Sequence, residues 1–376
     1  MNFTDLGIKE EFVNALKKVD ITTPTAIQKE AVPNLVDRKD AYISSQTGTG
    51  KTLAFLLPIV NKIDSSAKNL QSIILAPTHE LALQIHQQAL MLGKDSGIRS
   101  QVIIGSASTK RQLEALKKKP HIVIGSSGRI VELIKMKKLK PHTVKTIVVD
   151  EVDRLLHGDS LDYIKMIIKS TLRDRQLVFV SATEQRESLQ EAERLTENMV
   201  KIHTGCNEVT NTIDHLSFMC EERKKPELLR KLIHAVKPEK AIVFVHRNED
   251  AEIIAEKLQF HKMKVVDIHG KLSKDNRRKA LQDFKSGKAQ VMISSDVAAR
   301  GLDIKGVTHI FNFDLPAQSS AYLHRVGRTG RAGATGQAII LMTKQESRLV
   351  NRYKKELNID IKPCDIAKGK IFEIEV

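Results

Sequence analysis

The chain has 376 residues, of which 41% are hydrophobic, and this length exceeds what a single hydrophobic core usually supports. No apolar run approaches the roughly 18 residues that a membrane span needs, and the first residues lack the pattern of a signal peptide. A cytoplasmic protein without a membrane partner is therefore expected. The three cysteines, Cys206, Cys220 and Cys364, are too few and too scattered for a disulfide framework or a structural zinc site.

The charge balance is strongly basic, with 61 Lys and Arg residues against 45 Asp and Glu residues, which gives a formal net charge of +16. This excess favours a polyanionic partner such as nucleic acid, although solubility alone is a competing explanation. Aromatic residues make up only 4% of the chain, so few rings exist that could stack on bases. Contacts to a sugar-phosphate backbone are therefore the expected mode of binding.

Short β-branched apolar runs alternate with helical-looking stretches and form two series. They comprise residues 41–43, 72–76, 121–124, 146–149 and 177–180, and then residues 241–245, 264–266, 290–293, 307–311 and 338–341. Such runs indicate buried strands, so the sequence predicts an α/β fold with two tandem sheets, each mostly parallel and flanked by helices. The predicted domains are residues 1–204 and 215–376, and the polar segment 205–214 is predicted to be a linker.

Residues 44–52, SSQTGTGKT, follow the first apolar run and resemble a loop that binds phosphate. Gly48 and Gly50 would let backbone N–H groups approach phosphate oxygens, Lys51 would reach the β- and γ-phosphates, and Thr52 would ligate Mg²⁺. The strict pattern has glycine where this chain has Ser45. The preceding strand and the helix-compatible LAFLLPIV that follows support a nucleoside triphosphate site.

Polar residues also follow later strands of the first series, as PTHE, DEVD and SAT. The carboxyl ends of parallel strands form the edge where α/β sheets bind ligands. In IVVDEVD, Asp150 could hold the water shell of a metal ion, and Glu151 could orient or deprotonate an attacking water. Paired acids are common on surfaces, but their position directly after a fully apolar strand argues against an ordinary surface pair.

The second series ends in YLHRVGRTGRAG, which places Arg325, Arg328 and Arg331 three residues apart. Arginines held so close together need an anionic counterpart. Two remain possible from the residues alone: the phosphates of a nucleotide undergoing phosphoryl transfer, and a nucleic-acid backbone.

Taken together, these motifs resemble those of DEAD-box ATP-dependent RNA helicases of superfamily 2, of the minimal bacterial type. The matching motifs are, in order, SQTGTGKT, PTHELA, DEVD, SAT, SSDVAARGLD and HRVGRTGR, and the resemblance runs from Phe3 to Arg331. It implies two RecA-like domains, with ATP and Mg²⁺ as ligands. It also implies that Gln28 reads adenine, as its amide could bond both N6 and N7, with Phe3 packed nearby.

The resemblance assigns further roles residue by residue. Glu151 would activate water, Arg328 and Arg331 would complete the site from the second domain, Asp303 would meet the ribose, and Ser181, Thr183 and His324 would couple nucleotide state to domain closure. Implied nucleotide contacts are Phe3, Ile21, Gln28, Ser45, Gln46, Thr47, Gly48, Thr49, Gly50, Lys51, Thr52 and Asp303. Implied RNA contacts, mainly to phosphates and 2′-hydroxyls, are Thr78, His79, Gly105, Ser127, Gly128, Arg129, His269, Gly270, Lys274, Arg277 and Ser295.

Several positions depart from the family pattern. Ile21 stands where an aromatic ring usually lies beside adenine, which predicts weaker packing on the base. His79 replaces an arginine and Lys274 a glutamine, and DEVD carries Val152 where the family has alanine. Two rival hypotheses remain: an RNA-binding scaffold with slow or partner-dependent ATP turnover, and a DNA translocase.

The mechanism implied by the resemblance is a clamp. ATP and RNA would bind across a cleft between the two domains and close it together, with local unpairing of a short duplex, and hydrolysis would reset the clamp. The expected partner is RNA, bound without sequence preference. Pre-ribosomal particles, RNA remodelling in the cold and a monomeric state are further expectations from the resemblance.

Overall fold

The computed structural model describes residues 1–45, 48–105, 108–182, 186–204, 213–299, 304–330 and 334–374, without the side chains of Lys274 and Val297. The chain divides into two compact units, Met1–Cys206 and Asn207–Val376. Among the described residues, no helix combines the length and the apolar character that crossing a membrane requires.

The first unit is built on a seven-stranded sheet. Its strands are β1 Asp40–Ser44, β2 Ser72–Leu75, β3 Ser100–Ile103, β4 Ile122–Gly125, β5 Thr146–Asp150, β6 Gln176–Ser181 and β7 Met199–His203. They are ordered β3-β4-β2-β5-β6-β1-β7, and every neighbouring pair is parallel. The central strands β4, β2, β5 and β6 are buried along their whole length because helices cover both faces of a parallel sheet.

Helices cover the two faces of this sheet in two groups. They are α1 Glu10–Lys17, α2 Ala26–Val36, α3 Lys51–Lys62, α4 His79–Gly93, α5 Thr109–Leu116, α6 Ser127–Lys135, α7 Val152–Leu155, α8 Gly158–Lys169 and α9 Arg186–Leu195, with a 3₁₀ turn at Pro141–Thr143. Helices α1 to α4 share one hydrophobic core with the sheet, and α5 to α9 share another. Successive strand residues alternate between the cores: Ala41 and Ile43 lie in the first, Tyr42 in the second.

The second unit has an eight-stranded sheet ordered β10-β11-β9-β12-β13-β8-β14-β15. Its strands are β8 Ile213–Met219, β9 Ala241–Val245, β10 Val265–Ile268, β11 Val291–Ser295, β12 His309–Asn312, β13 Gly336–Met342, β14 Lys362–Ala367 and β15 Lys370–Glu373. All neighbouring pairs are parallel except the hairpin of β14 and β15.

The helices of the second unit pack in three hydrophobic clusters. They are α10 Lys225–Val236, α11 Asn248–Phe260, α12 Lys274–Lys285, α13 Asp296–Ala299, α14 Ser319–Val326 and α15 Ser347–Leu357, with a 3₁₀ turn at Glu222–Lys224. Helices α10 and α11 share one cluster, α12 and α13 a second, and α14 and α15 a third. The predicted class, two mostly parallel sheets flanked by helices, is confirmed.

The sequence-based description of the segment between the series needs a correction. The prediction ends the linker at residue 214, but Ile213 and Asp214 already belong to β8, which pairs with β13. The sequence signal for strand β8 is weak because less buried residues lie between its buried ones, and the buried residues include the polar His215 and Ser217. Strands β3 and β7 were also missed, because both lie at sheet edges and carry polar residues.

Candidate functional site

The predicted nucleotide motifs of the first unit lie on one edge of its sheet. Strands β5, β6 and β1 are adjacent and parallel, and they end at Asp150, Ser181 and Ser44. The phosphate loop and the segment after β6 are hydrogen-bonded to each other, because Ser45 N donates to the carbonyl oxygen of Ser181 at 3.2 Å. The chain therefore brings three of the motifs side by side at the carboxyl ends of neighbouring strands.

The phosphate loop ends in backbone that suits an anion. Gly48 and Gly50 have φ values of 91° and 93°, in the left-handed region that glycine adopts without strain. Gly50 is the N-cap of α3, so the amides of the first helical turn, including those of Lys51 and Thr52, lack partners within the helix. The positive end of the helix dipole adds to the attraction for phosphate.

Ser45, the departure from the strict pattern, is part of the loop's internal bonding. Its Oγ donates to Thr49 Oγ1 at 2.9 Å and accepts from Thr204 Oγ1 at 3.1 Å. The Lys51 ammonium donates to the carbonyl oxygen of Ser45. The serine therefore ties the two ends of the loop together and links them to the segment after β7.

Gln28 is buried, and both ends of its amide are hydrogen-bonded. Its Oε1 accepts from Thr25 N at 3.0 Å in a capping box, and its Nε2 donates to the carbonyl oxygen of Gly50 at 3.0 Å. A Cβ atom at Gly50 would lie 2.4 Å from that Nε2. Gln28 thus fastens the start of α2 to the phosphate loop, and its reading of adenine stays a prediction.

Phe3 and Ile21 both pack against the core of the α1–α4 face. Phe3 is only 1% exposed, and Ile21 is half-buried. A buried ring can support the segment that is predicted to lie beside adenine, but it offers no open face on which a base could stack. The side chain of Ile21 is partly exposed, so of the two residues it is the better placed for the predicted apolar contact with adenine.

The acid pair has an unusual local geometry. Glu151 is left-handed, with φ 52° and ψ 57°, and its N–H donates to Asp150 Oδ1 at 2.9 Å. Left-handed backbone costs a residue with a side chain about 1 kcal/mol, and such strain is concentrated at functional sites. The Glu151 carboxylate is partly buried and pairs with Arg154 Nη1 at 3.1 Å. This pairing holds the carboxylate in a defined position beside the strand end.

Asp150 is 6% exposed, and its pKa is raised to about 7. Burial is the main cause and the neighbouring Glu151 carboxylate acts in the same direction, whereas the Lys51 ammonium lowers the pKa. A carboxylate that is costly to ionise in isolation favours a cation beside it. Mg²⁺ is usually held by one or two protein ligands together with phosphates and water, so Asp150 and Thr52 fit the predicted metal role.

Val152, the third residue of DEVD, is fully buried in the core of the α5–α9 face. The two extra methyl groups relative to alanine therefore occupy packed space between α7 and the sheet. The substitution changes a core position and leaves Asp150 and Glu151 in place before it.

Arg325, the first of the three arginines in YLHRVGRTGRAG, is bonded inside the second unit. Arg325 is 2% exposed, and its Nε and Nη2 donate to the two carboxylate oxygens of Asp296, each at 2.6 Å. Its Nη1 donates to Asn312 Oδ1 at 3.1 Å, and its guanidinium lies 5.0 Å from the centre of the Phe244 ring. The anionic counterpart of Arg325 is thus a protein carboxylate, and only the other two arginines stay candidates for phosphate.

The structure describes some of the residues that were predicted to contact the nucleotide or to couple it to domain closure, but not all of them. Arg328 and His324 are half-buried, on or directly after α14, and Ser181 is buried at the end of β6. The residues outside the described ranges are Gln46, Thr47, Thr183, Asp303 and Arg331.

The predicted RNA contacts of the first unit lie around the starts of α4 and α6. Thr78 caps α4 by accepting from Leu81 N at 3.2 Å, and the next residue, His79, is exposed. Gly105 is open, since no atom lies within 4 Å of a Cβ placed there. A Cβ at Gly128 would lie 3.3 Å from the Tyr163 ring.

Two residues at the start of α6 are less accessible than the resemblance implies. Ser127 is buried, and the side chain of Arg129 is 10% exposed. The guanidinium of Arg129 donates to the Glu132 carboxylate at 2.6 Å and to Thr109 Oγ1 at 2.7 Å. A contact from Arg129 to RNA, which remains a prediction, would have to compete with this ion pair.

In the second unit, Asn248 links two predicted RNA contacts. Its Oδ1 accepts from Gly270 N at 3.4 Å and from Ser295 Oγ at 3.3 Å, which joins the ends of β10 and β11. His269 is buried, and its Nε2 lies 3.1 Å from Asp267 Oδ2. Sequence reasoning missed Asn248; the only signal was an asparagine opening a helix shortly after an apolar strand.

Helix α12 carries the last two predicted RNA contacts. Arg277 Nη2 donates to the carbonyl oxygen of Ala298 at 2.9 Å, which directs this side chain toward α13. Lys274 is the first residue of α12, whose N-cap Ser273 accepts from Asn276 N at 3.2 Å. The predicted RNA contacts of this unit thus fall on the segments around the carboxyl ends of β10 and β11.

Comparisons with known proteins agree with this arrangement. The family model for DEAD/DEAH box helicases matches residues 25–192, and that for the helicase conserved C-terminal domain matches residues 224–333. The chain is 40% identical to the DEAD-box ATP-dependent RNA helicase CshC of Bacillus cereus, over 96% of this chain and 92% of that protein. It is 39% identical to the probable ATP-dependent RNA helicase YfmL of Bacillus subtilis, over 93% and 92%.

Among solved structures, S. cerevisiae Dbp5 bound to RNA and ADP BeF3 is similar, with a TM-score of 0.87 and 29% sequence identity. The alignment covers 96% of this chain and 95% of that one. Because the two family models match most of the sequence and relatives of this identity match more than nine-tenths of it, the chain belongs to the DEAD-box family of ATP-dependent RNA helicases.

Proposed function

We propose that this protein hydrolyses ATP in response to RNA and uses the cycle to separate short RNA duplexes or to remodel RNA-protein complexes. The observation that carries the proposal is the grouping of the phosphate loop, the acid pair and Ser181 on adjacent strand ends. The names of its relatives, ATP-dependent RNA helicases along nearly their full length, favour this enzyme over a scaffold without turnover.

Within the first unit, each residue has a distinct task in hydrolysis. The amides at the start of α3 and the Lys51 ammonium bind the phosphates, while Asp150 and Thr52 would hold Mg²⁺. The metal ion would supply positive charge to the phosphate oxygens. Glu151 orients the attacking water and accepts its proton, and its pairing with Arg154 fixes the carboxylate.

Arg328 and Arg331 are proposed to stabilise the negative charge that develops during phosphoryl transfer. Asp303 is proposed to contact the ribose, and Ser181, Thr183 and His324 to make the RNA grip depend on the nucleotide. The engagement of Arg325 with Asp296 supports this division, because it assigns the first of the three arginines to a fixed structural ion pair.

RNA binding is proposed to occur through phosphates and 2′-hydroxyls at the strand ends of both units. The solved Dbp5 structure contains RNA, and the scarcity of aromatic residues here agrees with backbone contacts. ATP and RNA are proposed to promote each other's binding to the same extent, as a reciprocal coupling requires. Hydrolysis of ATP then releases the RNA. The physiological targets are proposed to be structured RNAs such as those of pre-ribosomal particles. The protein is proposed to act as a cytoplasmic monomer and to be needed most in the cold, where RNA duplexes are more stable.

Steady-state ATP hydrolysis tests this proposal. The protein would be assayed at low salt without nucleic acid, with single-stranded RNA and with DNA of the same sequence. Stimulation by RNA alone is expected, because the 2′-hydroxyl distinguishes the two polymers. Glu151→Gln should abolish the stimulated rate, whereas the matched exposed control Glu239→Gln should keep it. An ATP hydrolysis rate that does not change when RNA is added would contradict the proposal. RNA remodelling that the Glu151→Gln variant still carries out would also contradict it and would favour a scaffold.

A further inference from the structure

A cluster of lysines lies on the first unit at the edge opposite the predicted ATP site. Helices α5 and α6 pack on the same face of the sheet, and each is followed by a strand, so both helices end at the amino edge of that sheet. Lysines are concentrated at these two ends, and no acid occurs within residues 117–121 or 135–145. We call this cluster the basic edge: Lys117, Lys118, Lys119, Lys135, Lys137, Lys138 and Lys140.

All seven lysines are exposed. Lys117 pairs with Glu114 at 2.8 Å, whereas the other six take part in no ion pair within the described residues. Two acids on neighbouring loops already have cationic partners, since Asp95 pairs with Lys18 and Asp174 with Lys145. The carboxylate of a third, Asp64, accepts hydrogen bonds from Ser66. The positive charge of the basic edge is therefore available to an external anion.

The backbone of this edge is tied together by hydrogen bonds between loops. The Arg99 guanidinium donates to the carbonyl oxygens of Lys118 and Lys119, at 3.1 Å and 3.2 Å. Gln71 N donates to the His121 carbonyl oxygen at 2.8 Å, and Lys145 N donates to the Gln71 carbonyl oxygen at 2.8 Å. The segments before β4, β2 and β5 thus form one surface, on which β4 and β5 are about 10 Å apart.

Two lysines of the basic edge adopt left-handed backbone, Lys119 with φ 51° and Lys137 with φ 56°. Glycine fits this conformation without strain and is the common residue just after a helix. The backbone conformation therefore does not explain why lysine, rather than glycine, occupies either position. A favourable interaction with the helix dipole is one competing explanation, and it can be separated from ligand binding by experiment.

The chemistry of the basic edge suits the phosphates of a nucleic-acid backbone. Lysines act as point charges, and no aromatic side chain lies among them to stack on a base. Met136 is the single large apolar residue exposed between them, and a protein interface usually needs a larger apolar centre with aromatic or arginine anchors. A polyanionic backbone is the better match.

We propose that the basic edge binds a second segment of the same RNA whose other part occupies the carboxyl edge of this unit. This inference rests on the proposed function for the identity of the polymer. Strands β4 and β5 span about 15 Å between the two edges, so the RNA must run around the unit to reach both. Only RNA longer than the segment at the carboxyl edge can make the second contact.

The test compares two double variants that remove the same charge and change the same kind of backbone. Lys119→Gly with Lys137→Gly removes two lysines of the basic edge. Lys237→Gly with Lys368→Gly removes two exposed left-handed lysines of the second unit, with φ 43° and 49°. Affinity would be measured with an unhydrolysed ATP analogue and RNA of about 6 or about 30 nucleotides.

The basic-edge variant should bind the longer RNA about tenfold more weakly than the wild type at 0.1 M salt, and the slope of log K against log salt should fall by about 1.4. Its affinity for the short RNA should be unchanged, and its melting temperature should change as in the control variant, because replacing a left-handed lysine by glycine relieves the same backbone strain in both. Equal affinity of both variants for the longer RNA would overturn the proposal, and a melting temperature below that of the control variant, with wild-type affinity, would assign the lysines to the helix dipole. Failure of the wild type to bind even the short RNA would instead contradict the proposed function.

Discussion

Gln28 Nε2 donates a hydrogen bond to the carbonyl oxygen of Gly50 at 3.0 Å, across 22 residues of sequence. The same amide accepts from Thr25 N, so the segment predicted to lie beside adenine is attached to the phosphate loop through one side chain. Because the amide is buried, the loop's position depends on it. A change at Gln28 should therefore alter phosphate binding even where the base is not involved.

Gln28→Ala is expected to raise the KM for ATP and to destabilise the protein by about 2 kcal/mol, since it leaves a buried carbonyl and amide without their partner. Gln259→Ala is a suitable control, because Gln259 Nε2 also donates to a carbonyl, that of Val265, in the second unit. The control should lower stability without changing the KM. Urea denaturation and steady-state kinetics measure the two effects. An unchanged KM for Gln28→Ala would separate Gln28 from the nucleotide site.

The close approach of Gly50 to Gln28 gives a second prediction. Gly50→Ala adds a Cβ at 2.4 Å from Gln28 Nε2 and places it on backbone with φ +93°. Gly287→Ala is the matched change without the contact, because φ there is +81° and no atom lies within 4 Å. The control should cost about 1 kcal/mol from backbone strain alone, and Gly50→Ala about 3 kcal/mol, with weaker ATP binding. Equal losses in the two variants would show that Gln28 moves away freely.

The buried Arg325 and the partly exposed Asp296 form a bidentate ion pair, so a change in either partner should be costly. Arg325→Lys keeps the charge but cannot donate two parallel hydrogen bonds or satisfy Asn312 as well, and a loss of about 3 kcal/mol is expected. Asp296→Asn should cost a similar amount. A double-mutant cycle measures the coupling, and losses that simply add would contradict a direct ion pair.

Sequence reasoning worked best where local chemistry is enough. The apolar runs predicted the central strands, and the motif SSQTGTGKT predicted the loop that begins α3, because strand burial and glycine backbone are local properties. It failed where the partner is distant in sequence. Nothing around Arg325 reveals Asp296, and nothing around Asn248 reveals that β10 and β11 end beside it.

The same limit explains the missed strands. Strand β8 carries His215 and Ser217 inside the protein, where neighbours such as Tyr322 supply hydrogen bonds that no local pattern records. Strand β3 lies at a sheet edge and carries three half-buried residues, so its sequence lacks a continuous apolar run.

The buried His215 leads to a prediction about stability and pH. Its Nδ1 is hydrogen-bonded to the Tyr322 hydroxyl at 2.7 Å. Burial lowers the pKa of His215 from 6.5 to about 4, although the nearby carboxylates of Asp214 and Asp360 act in the opposite direction. Below pH 6.5 the unfolded chain binds a proton at this residue and the folded chain does not, so stability is lost as the pH falls from 6.5 toward 4.

The free energy of unfolding should therefore fall by about 2 kcal/mol between pH 7 and pH 5 through this residue alone. Because the chain has 13 histidines, the measurement compares urea denaturation of the wild type with that of His215→Gln across the same pH values. The variant should be less stable at pH 7 because it lacks the ring's packing, but its stability should fall less on acidification. His234→Gln, at an exposed position on α10, should keep the wild-type pH dependence. If the free energy of unfolding fell equally with pH in the wild type and in His215→Gln, His215 would be protonated in the folded protein as readily as in the unfolded chain, which would contradict the prediction.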